Sequence, residues 1–393
     1  MRQPHYDLSQ RPFLVIWEVT QACDLVCRHC RAEAQPEHDP EALTYEEGCA
    51  LMEQIEAFGR PSPLFILTGG DPFKRADVFD LVAQATERGL AVAVSPSGTP
   101  LLNRANLQRL KEAGARAISL SLDGSTPEIH DAFRQVGGSF AYTLAGWEAA
   151  HQVGLKVQVN TTVTRHNLDD LARIFALVRD KGAMTWSVFF LVPTGRGQAE
   201  DEISPLDYEA VMHFLYDASK YLGVKTTEGH HYKRVVLQRW ALEARGVPAE
   251  TCLPLNETYW RLREELGALL PEAERPSPPG RIRRAPLHVN SADGFVFISR
   301  RGEVFPSGYL PLSAGNVRQT PLTVIYRHSE LFQALRDKGR LKGRCGRCEF
   351  RNVCGGSRSR AYALTGDVLA EEPYCVYEPG SFPYLDDLRE WLA

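Results

Sequence analysis

The feature that most constrains this chain is a regular alternation of short apolar runs with amphipathic segments. The apolar runs read as buried strands because they are short, rich in branched and aromatic residues, and bounded by turn residues. They cover residues 13–17, 64–68, 91–95, 117–122, 157–163 and 186–192. Helical patterns lie between them, over about 41–58, 76–88, 103–113, 140–153 and 168–181. The alternation predicts six parallel strands joined by right-handed helical crossovers.

Three cysteines follow the first predicted strand. Cys23, Cys27 and Cys30 are spaced C-x3-C-x2-C, and loops past strand ends are where α/β folds place their chemistry. Three thiolates at this spacing can hold three corners of a cubic [4Fe–4S] cluster, which leaves one iron open to a ligand that is not protein. The alternative is a zinc site completed by His29 or a distant residue, although zinc ligands usually come in separate C-x2–4-C pairs.

Polar and glycine residues end the later strands as well. Glycines at a strand end let the backbone approach a ligand closely. At every one of these positions the alternative explanation is an ordinary turn, which favours the same residue types. The candidates for cofactor binding on this ground and on the resemblance given below are Gly69, Gly70, Asp71, Ser121, Asp123, Arg134, Asn160 and Val192.

A second group of four cysteines lies near the end of the chain. Cys345, Cys348, Cys354 and Cys375 are spaced C-x2-C-x5-C with a late fourth member. Four thiolates complete a closed site, and the count fits zinc as well as an iron–sulfur cluster. The two remaining cysteines are expected to be plain thiols, with Cys49 buried on a helix face and Cys252 standing alone.

Composition excludes several classes of protein. The chain has 393 residues, 44% apolar and 24% charged, with a net charge of −4, which gives no indication of nucleic-acid binding. Residues 1–10 lack an apolar signal core and no run of 18 apolar residues exists, so neither secretion nor a membrane span is expected. Clustered cysteines without a signal peptide favour metal ligands in the reducing cytoplasm.

The first cysteine loop resembles the cluster loop of the radical SAM enzymes, with His29 where that family often has Tyr or Phe. The resemblance implies an open (β/α)6 partial barrel and S-adenosylmethionine bound to the open iron. Gly69-Gly70-Asp71 is similar to the family's GGE motif, which holds the methionine amino group. Ser121 to Gly124 with His130 and Arg134 resembles the segment that contacts the SAM ribose and carboxylate, and Asn160 lies at the next strand. Val192 precedes the loop that faces the adenine in the family.

The second cysteine group resembles the C-terminal SPASM or twitch domain of radical SAM maturases. The resemblance implies a second, auxiliary [4Fe–4S] cluster on the four late cysteines. Ser307 and Ser357 stand where a further auxiliary cluster would need cysteines, so one auxiliary cluster is predicted. The implied domains are a radical SAM core at 1–204, a helical connector at 205–285 and a SPASM-like domain at 286–393.

Three segments outside the cysteine groups carry weaker predictions. The segment Glu228–Arg234 is interpreted as a solvated helix entry, with a substrate loop as the alternative. Residues 271–286 are proline-rich and contain Arg281, Arg283 and Arg284, which indicates a basic linker. Residues 294–299 and 303–305 predict a β-hairpin.

The segment from Cys354 to Cys375 is similar to the tetrapyrrole-modifying branch of the family, the haem d1 and alternative haem pathway enzymes. This similarity implies an oxidoreductase that removes hydrogen from propionate side chains of a haem-type ring, with flavodoxin or ferredoxin as an external electron donor. The alternative within the family is a maturase acting on a ribosomally made peptide. Alternatives of other classes are an iron–sulfur electron carrier and a zinc-stabilised binding module.

Overall fold

A parallel sheet forms the body of the protein in a computed structural model that describes residues 7–270 and 289–392. The strands in the described residues are β1 (Leu14–Thr20), β2 (Leu64–Gly69), β3 (Ala91–Val94), β4 (Ala117–Ser121), β5 (Lys156–Val163), β6 (Thr185–Phe190), β7 (Val224–Thr227), β8 (Asn290–Ser291), β9 (Gly294–Ile298) and β10 (Val304–Phe305). They pair in the order β10-β9-β1-β2-β3-β4-β5-β6-β7, and β8 pairs with β9.

Helices follow most strands and cover the outer side of the sheet. Those in the described residues are α1 (Tyr45–Glu56), α2 (Val78–Glu87), α3 (Arg104–Glu112), α4 (Pro127–Arg134), α5 (Ser139–Gln152), α6 (Leu171–Asp180), α7 (Pro205–Ala218), α8 (Tyr232–Arg245), α9 (Glu257–Leu269), α10 (Leu322–His328), α11 (Glu330–Arg336), α12 (Gly343–Arg347), α13 (Arg358–Thr365) and α14 (Arg389–Leu392). Helix α1 begins with a capping box, in which the Thr44 side chain accepts the Glu47 N–H and the Glu47 side chain accepts the Thr44 N–H.

Burial alternates along β5 and shows which side of the sheet is open. On β5, Val157 and Val159 are buried in the core shared with the helices, whereas Gln158, Asn160 and Thr162 between them are only half-buried. Successive strand residues point to opposite faces, so the half-buried set lies on the concave side. The concave side of the partial barrel is therefore a lumen rather than a packed core.

The predicted α/β partial barrel is confirmed, and the structure extends it at both edges. All six predicted strands pair in parallel in chain order, and β7 adds a further parallel strand beyond β6. The predicted hairpin is confirmed as β9 and β10. The sequence did not indicate that β9 also pairs in parallel with β1, with Leu14 opposite Phe295. This pairing joins the sheet across the expected start of the third domain, and the domain division itself stays a prediction.

Three smaller expectations concern Cys49, a membrane span and the basic linker. Cys49 is half-buried rather than buried, because it lies at the edge of the apolar face of α1. No helix in the described part of the chain is long and apolar enough to span a membrane. The basic linker prediction at 271–286, with Arg281, Arg283 and Arg284, lies outside the described residues, as do residues 1–6.

Candidate active site and second cysteine cluster

The three-cysteine loop begins directly after β1 and faces the lumen end of the sheet. Cys23 and Cys27 are buried and Cys30 is half-buried. Each sulfur accepts a hydrogen bond: Cys23 from the Leu25 N–H at 3.4 Å, and Cys30 from the Ala34 N–H at 3.5 Å. The Arg134 guanidinium lies 3.5 Å from the Cys27 sulfur. Donors aimed at all three sulfurs stabilise thiolates, which is the form that binds iron.

Gly69 and Gly70 bring the end of β2 against the cysteine loop. The Gly70 N–H donates to the Thr20 carbonyl at 2.8 Å and the Asp71 N–H to the Ala22 carbonyl at 2.7 Å. A Cβ on Gly69 would lie 2.3 Å from the Thr20 oxygen, and one on Gly70 would lie 2.4 Å from the Ala22 oxygen. The close backbone approach at these glycines is made to the protein's own cysteine loop, and the approach to a ligand stays a prediction.

Replacing Gly70 by alanine should destabilise the protein and lower its iron content. A methyl group there meets two main-chain oxygens that cannot move without shifting the cysteine loop, and overpacking of this kind costs roughly 1–3 kcal/mol. The free energy of unfolding in urea and the iron bound after reconstitution measure the effect. Gly267→Ala in α9 is the matched control, since nothing lies within 4 Å of its added Cβ. Equal stability and iron content in the two variants would contradict the role given to Gly70.

Asp71 is fully buried, and both of its carboxylate oxygens have protein partners. One oxygen accepts the Phe73 N–H at 3.2 Å and the other accepts the Thr99 hydroxyl at 2.8 Å. Burial is the main cause that raises the pKa of this carboxyl group. Asp71 therefore holds the turn after β2 and ties it to Thr99, which follows β3.

Asp123 and Arg134 form a buried pair beside the cysteine loop. Arg134 donates to one oxygen of Asp123, and the Thr162 N–H donates to the other at 2.7 Å. The same guanidinium also contacts the Cys27 sulfur. The pair therefore connects the ends of β4 and β5 to the three-cysteine loop. Ser121 and Asn160 are register partners on these two strands. Both are half-buried, and their role in cofactor binding stays a prediction.

The loop after β6 also packs on the cysteine loop. The Arg196 N–H donates to the Cys30 carbonyl at 3.0 Å, and its guanidinium donates to the Cys27 carbonyl at 3.0 Å. Gly195 has a positive φ of 58°, and a Cβ there would lie 2.5 Å from the Cys30 oxygen. Val192, which precedes this loop, is buried at 2% exposure. His29 stacks on Phe133, with ring centroids 4.4 Å apart.

The four late cysteines line one cavity of about 440 Å³ of atom-free space, part of it open to solvent. The Cys345 sulfur accepts the Glu372 N–H at 3.3 Å and the Cys354 sulfur accepts the Gly356 N–H at 3.4 Å. Burial raises the pKa of the Cys375 thiol to about 11 and that of Cys348 to about 12. Such thiols become thiolates when a bound metal supplies positive charge.

The four late cysteines line one cavity, and Cys23, Cys27 and Cys30 lie in one small buried group; their role as ligands stays a prediction. In residues 7–270 and 289–392, no three His, Cys, Asp or Glu side chains are grouped as one metal ion would need. Three features bear on whether a larger iron–sulfur group fits these cysteines. The four late cysteines share a cavity, backbone N–H groups donate to sulfur, and the cationic Arg134 lies beside Cys27. All three observations suit thiolate ligands of a multi-iron cluster.

The segment at the start of α8 is buried, which overturns its interpretation as a solvated helix entry. His231 is 0% exposed and lies with Arg234 in the wall of the four-cysteine cavity. Burial lowers the pKa of His231 to about 4. The segment is dry because the C-terminal residues pack over it, and no local pattern in 228–234 announces that contact.

Glu228 is a functional-site neighbour that sequence reasoning missed. Its buried carboxylate accepts hydroxyl groups from Ser307 at 2.8 Å and from Ser359 at 2.9 Å, and it also binds the Ser357 hydroxyl. Ser307 and Ser357 are the two serines that stand in place of cysteines. They meet on one carboxylate, which connects the end of β7 to the C-terminal residues.

Arg360 joins the second cysteine group to the strand ends. It is fully buried and donates to the Leu191 carbonyl at 2.8 Å and to the Glu228 carbonyl at 3.0 Å. It also pairs with Glu372 at 3.3 Å, whose N–H binds the Cys345 sulfur. Burial raises the pKa of the nearby Glu202 carboxyl to about 7, against the opposing charge of Arg360. In the sequence, this network is indicated only by the charged residues between positions 355 and 375, such as Arg360 and Glu372.

One wall of the lumen combines aromatic rings with arginine. Phe189 of β6 lies 6.3 Å from the Tyr309 ring, and the Arg31 guanidinium lies 4.3 Å above the Phe297 ring of β9. Arg31 donates to Glu18 at 2.8 Å, and Arg31 follows Cys30 directly. An aromatic and cationic wall beside a cluster loop suits a flat ligand that carries carboxylates.

Comparisons with known proteins agree with this geometry. The model of the family described as the radical SAM superfamily matches residues 17–178. An AdoMet-dependent heme synthase of Methanosarcina barkeri is 38% identical, covering 95% of this chain and 99% of its own. One from Nitratidesulfovibrio vulgaris is 40% identical over 93% and 92% of the two chains. The crystal structure of native anSMEcpe with bound AdoMet has the same fold, with a TM-score of 0.63, 14% identity, and coverage of 96% and 97%.

Proposed function

The chain belongs to the radical SAM superfamily, and we propose that it oxidatively decarboxylates propionate side chains of a haem-type tetrapyrrole. The observation that carries this proposal is its similarity to a heme synthase over nearly the whole length of both chains. The aligned region spans 95% of this chain and 99% of the relative, so the proposal is made for the chain as a whole.

Three thiolates in the first loop and four in the late group are the ligand sets for two [4Fe–4S] clusters. Cys23, Cys27 and Cys30 would hold the first, and the other four cysteines the auxiliary one. When bound, the first cluster supplies the electron that cleaves S-adenosylmethionine to a 5′-deoxyadenosyl radical. An external flavodoxin or ferredoxin is the proposed donor of that electron.

The proposed reaction balances at the substrate. A propionate group loses one hydrogen atom to the deoxyadenosyl radical; its carbon–carboxylate bond breaks to release CO2. One electron leaves, and a vinyl group remains. A one-electron acceptor is therefore required, and the four-cysteine site is the place we assign to it. A cluster with four protein ligands has no iron free for substrate, which favours electron transfer over substrate anchoring.

The residues of the lumen are assigned to binding and orientation. We place S-adenosylmethionine against Ser121 and Asn160 on the concave side, with Gly69, Gly70, Asp71 and Val192 shaping the same end. Asp123 and Arg134 are assigned to holding Cys27 and the strand ends in register. The macrocycle is assigned to the wall of Phe189, Tyr309 and Phe297.

The test is anaerobic incubation of the reconstituted protein with S-adenosylmethionine, dithionite and iron porphyrins that carry propionates. The expected products are 5′-deoxyadenosine and a porphyrin lighter by one CO2 and two hydrogen atoms for each side chain, identified by mass spectrometry. Deoxyadenosine without any change in porphyrin mass would contradict the substrate assignment and favour a peptide substrate.

Arg31→Gln should weaken substrate binding about ten- to a hundredfold, because a charge-assisted hydrogen bond to a carboxylate contributes about 1.5–3 kcal/mol. The measurement is the KM for porphyrin, together with deoxyadenosine formation in the absence of porphyrin, which should continue. Arg389→Gln is the matched control, since Arg389 is exposed and, in the part of the chain that the structure describes, its ion pair is with Asp386, three residues before it. An unchanged KM in Arg31→Gln would remove this residue from the substrate wall.

A further inference from the structure

Arg358 is a buried cation on the second cysteine group that has no carboxylate of its own. It is 1% exposed, and its guanidinium donates to the carbonyls of Val368 at 3.0 Å and Ala370 at 2.6 Å. The remaining terminal nitrogen lies 3.9 Å from the Cys345 sulfur. No ion pair to Arg358 is present among residues 7–270 and 289–392. A buried charge without a counter-charge is costly, so an anionic group on the cysteines is the partner it requires.

The carboxylates nearest the cavity are each matched to a different cation. Glu209 pairs with Arg234 at 2.6 Å, Glu371 with Arg344 at 3.3 Å, and Glu372 with Arg360 at 3.3 Å. The exception is Glu349, which is half-buried beside Cys348 and binds the Tyr377 hydroxyl and the Gly380 N–H. Arg344 is shared between Glu371 and Glu378, the second at 3.4 Å. Because these cations are paired with carboxylates, their effect on the thiolates is partly offset, whereas among the described residues no ion pair offsets the charge of Arg358.

We propose that Arg358 raises the reduction potential of the auxiliary iron–sulfur cluster and so makes that cluster an electron acceptor. The inference rests on the proposed function, which assigns the cluster to these cysteines. Reduction adds one negative charge to the cluster, and a fixed cation at the sulfur stabilises that charge. The N–H groups of Glu372 and Gly356, which donate to sulfur, act in the same direction.

The test is a redox titration of the full chain followed by EPR, in the Cys23→Ala/Cys27→Ala/Cys30→Ala background so that only the auxiliary cluster gives a signal. Arg358→Gln should lower the reduction potential, and Arg358→Lys should restore part of the shift because it keeps the charge. Arg351→Gln is the matched control: Arg351 lines the same cavity and carries the same charge, but it is exposed, so solvent screens it. Glu349→Gln removes a negative charge and should shift the potential upward.

The outcomes separate this inference from the proposed function. A four-iron signal in Arg358→Gln at the parent potential, or a shift no larger than in Arg351→Gln, would overturn the role of Arg358 whatever the substrate is. If Arg358→Gln fails to bind iron, the Arg358→Lys titration decides it, because lysine keeps the charge but is shorter and holds it farther from the Cys345 sulfur. A potential below that of the parent is expected, and a potential equal to or above the parental value would overturn the role of Arg358. Failure on porphyrins, in contrast, leaves these titrations unaffected.

Discussion

The variant in which Cys23, Cys27 and Cys30 are all alanine should form no 5′-deoxyadenosine and should keep about half of its iron. Two four-iron clusters give about eight irons in the parent protein, and the triple variant removes every protein ligand of one of them. The late cysteines line a cavity of their own with their own N–H donors, so their cluster should survive. Iron analysis and chromatography of reactions with dithionite and S-adenosylmethionine measure both quantities.

Cys49→Ala and Cys252→Ala are matched controls for this loss. Both thiols are free and half-buried, and neither belongs to the two groups. Each single variant should keep about eight irons and full deoxyadenosine formation. Deoxyadenosine from the triple variant, or a colourless parent protein containing zinc, would contradict the assignment of the first loop.

The positions of the elements were predictable because strand and helix periodicities are local properties of the sequence. The six predicted strands and the capping box at Thr44 can each be recognised from a stretch of a few consecutive residues. The pairing of Leu14 with Phe295 was not predictable in this way. Its partners lie far apart in the chain, and neither segment carries a signal for the register of the other.

The candidate site likewise combines local features, which the sequence shows, with contacts between distant segments, which it does not. Cysteine spacing is local; the four late cysteines line one cavity and the three early ones lie in one buried group, while their use as ligands stays a prediction. The environment of each residue depends on contacts between distant segments, and there sequence reasoning failed. His231 is dry because C-terminal residues cover it. The sequence indicated nothing about Glu228 beyond its place in the segment Glu228–Arg234, yet its carboxylate accepts three serine hydroxyls.

Removing Cys354 and Cys375 together should separate S-adenosylmethionine cleavage from substrate oxidation. The Cys354→Ala/Cys375→Ala variant keeps the three-cysteine loop, so it should still form deoxyadenosine and keep about half of its iron. It lacks two of the four ligands of the proposed electron acceptor, so the substrate radical cannot pass on its electron. The vinyl product should fall to background.

The ratio of vinyl product to deoxyadenosine, measured in one reaction mixture, is the decisive quantity because it cancels differences in the amount of folded protein. Cys252→Ala is the matched control, since Cys252, like Cys348 and Cys354, packs against the apolar cluster that contains Leu237 and Phe350, and its ratio should equal that of the parent. A parental ratio in the double variant would show that the late cysteines do not take the electron. Because Arg360 links them to Leu191 at the end of β6, equal loss of both products would instead mean that the late cysteines support the fold of the first site.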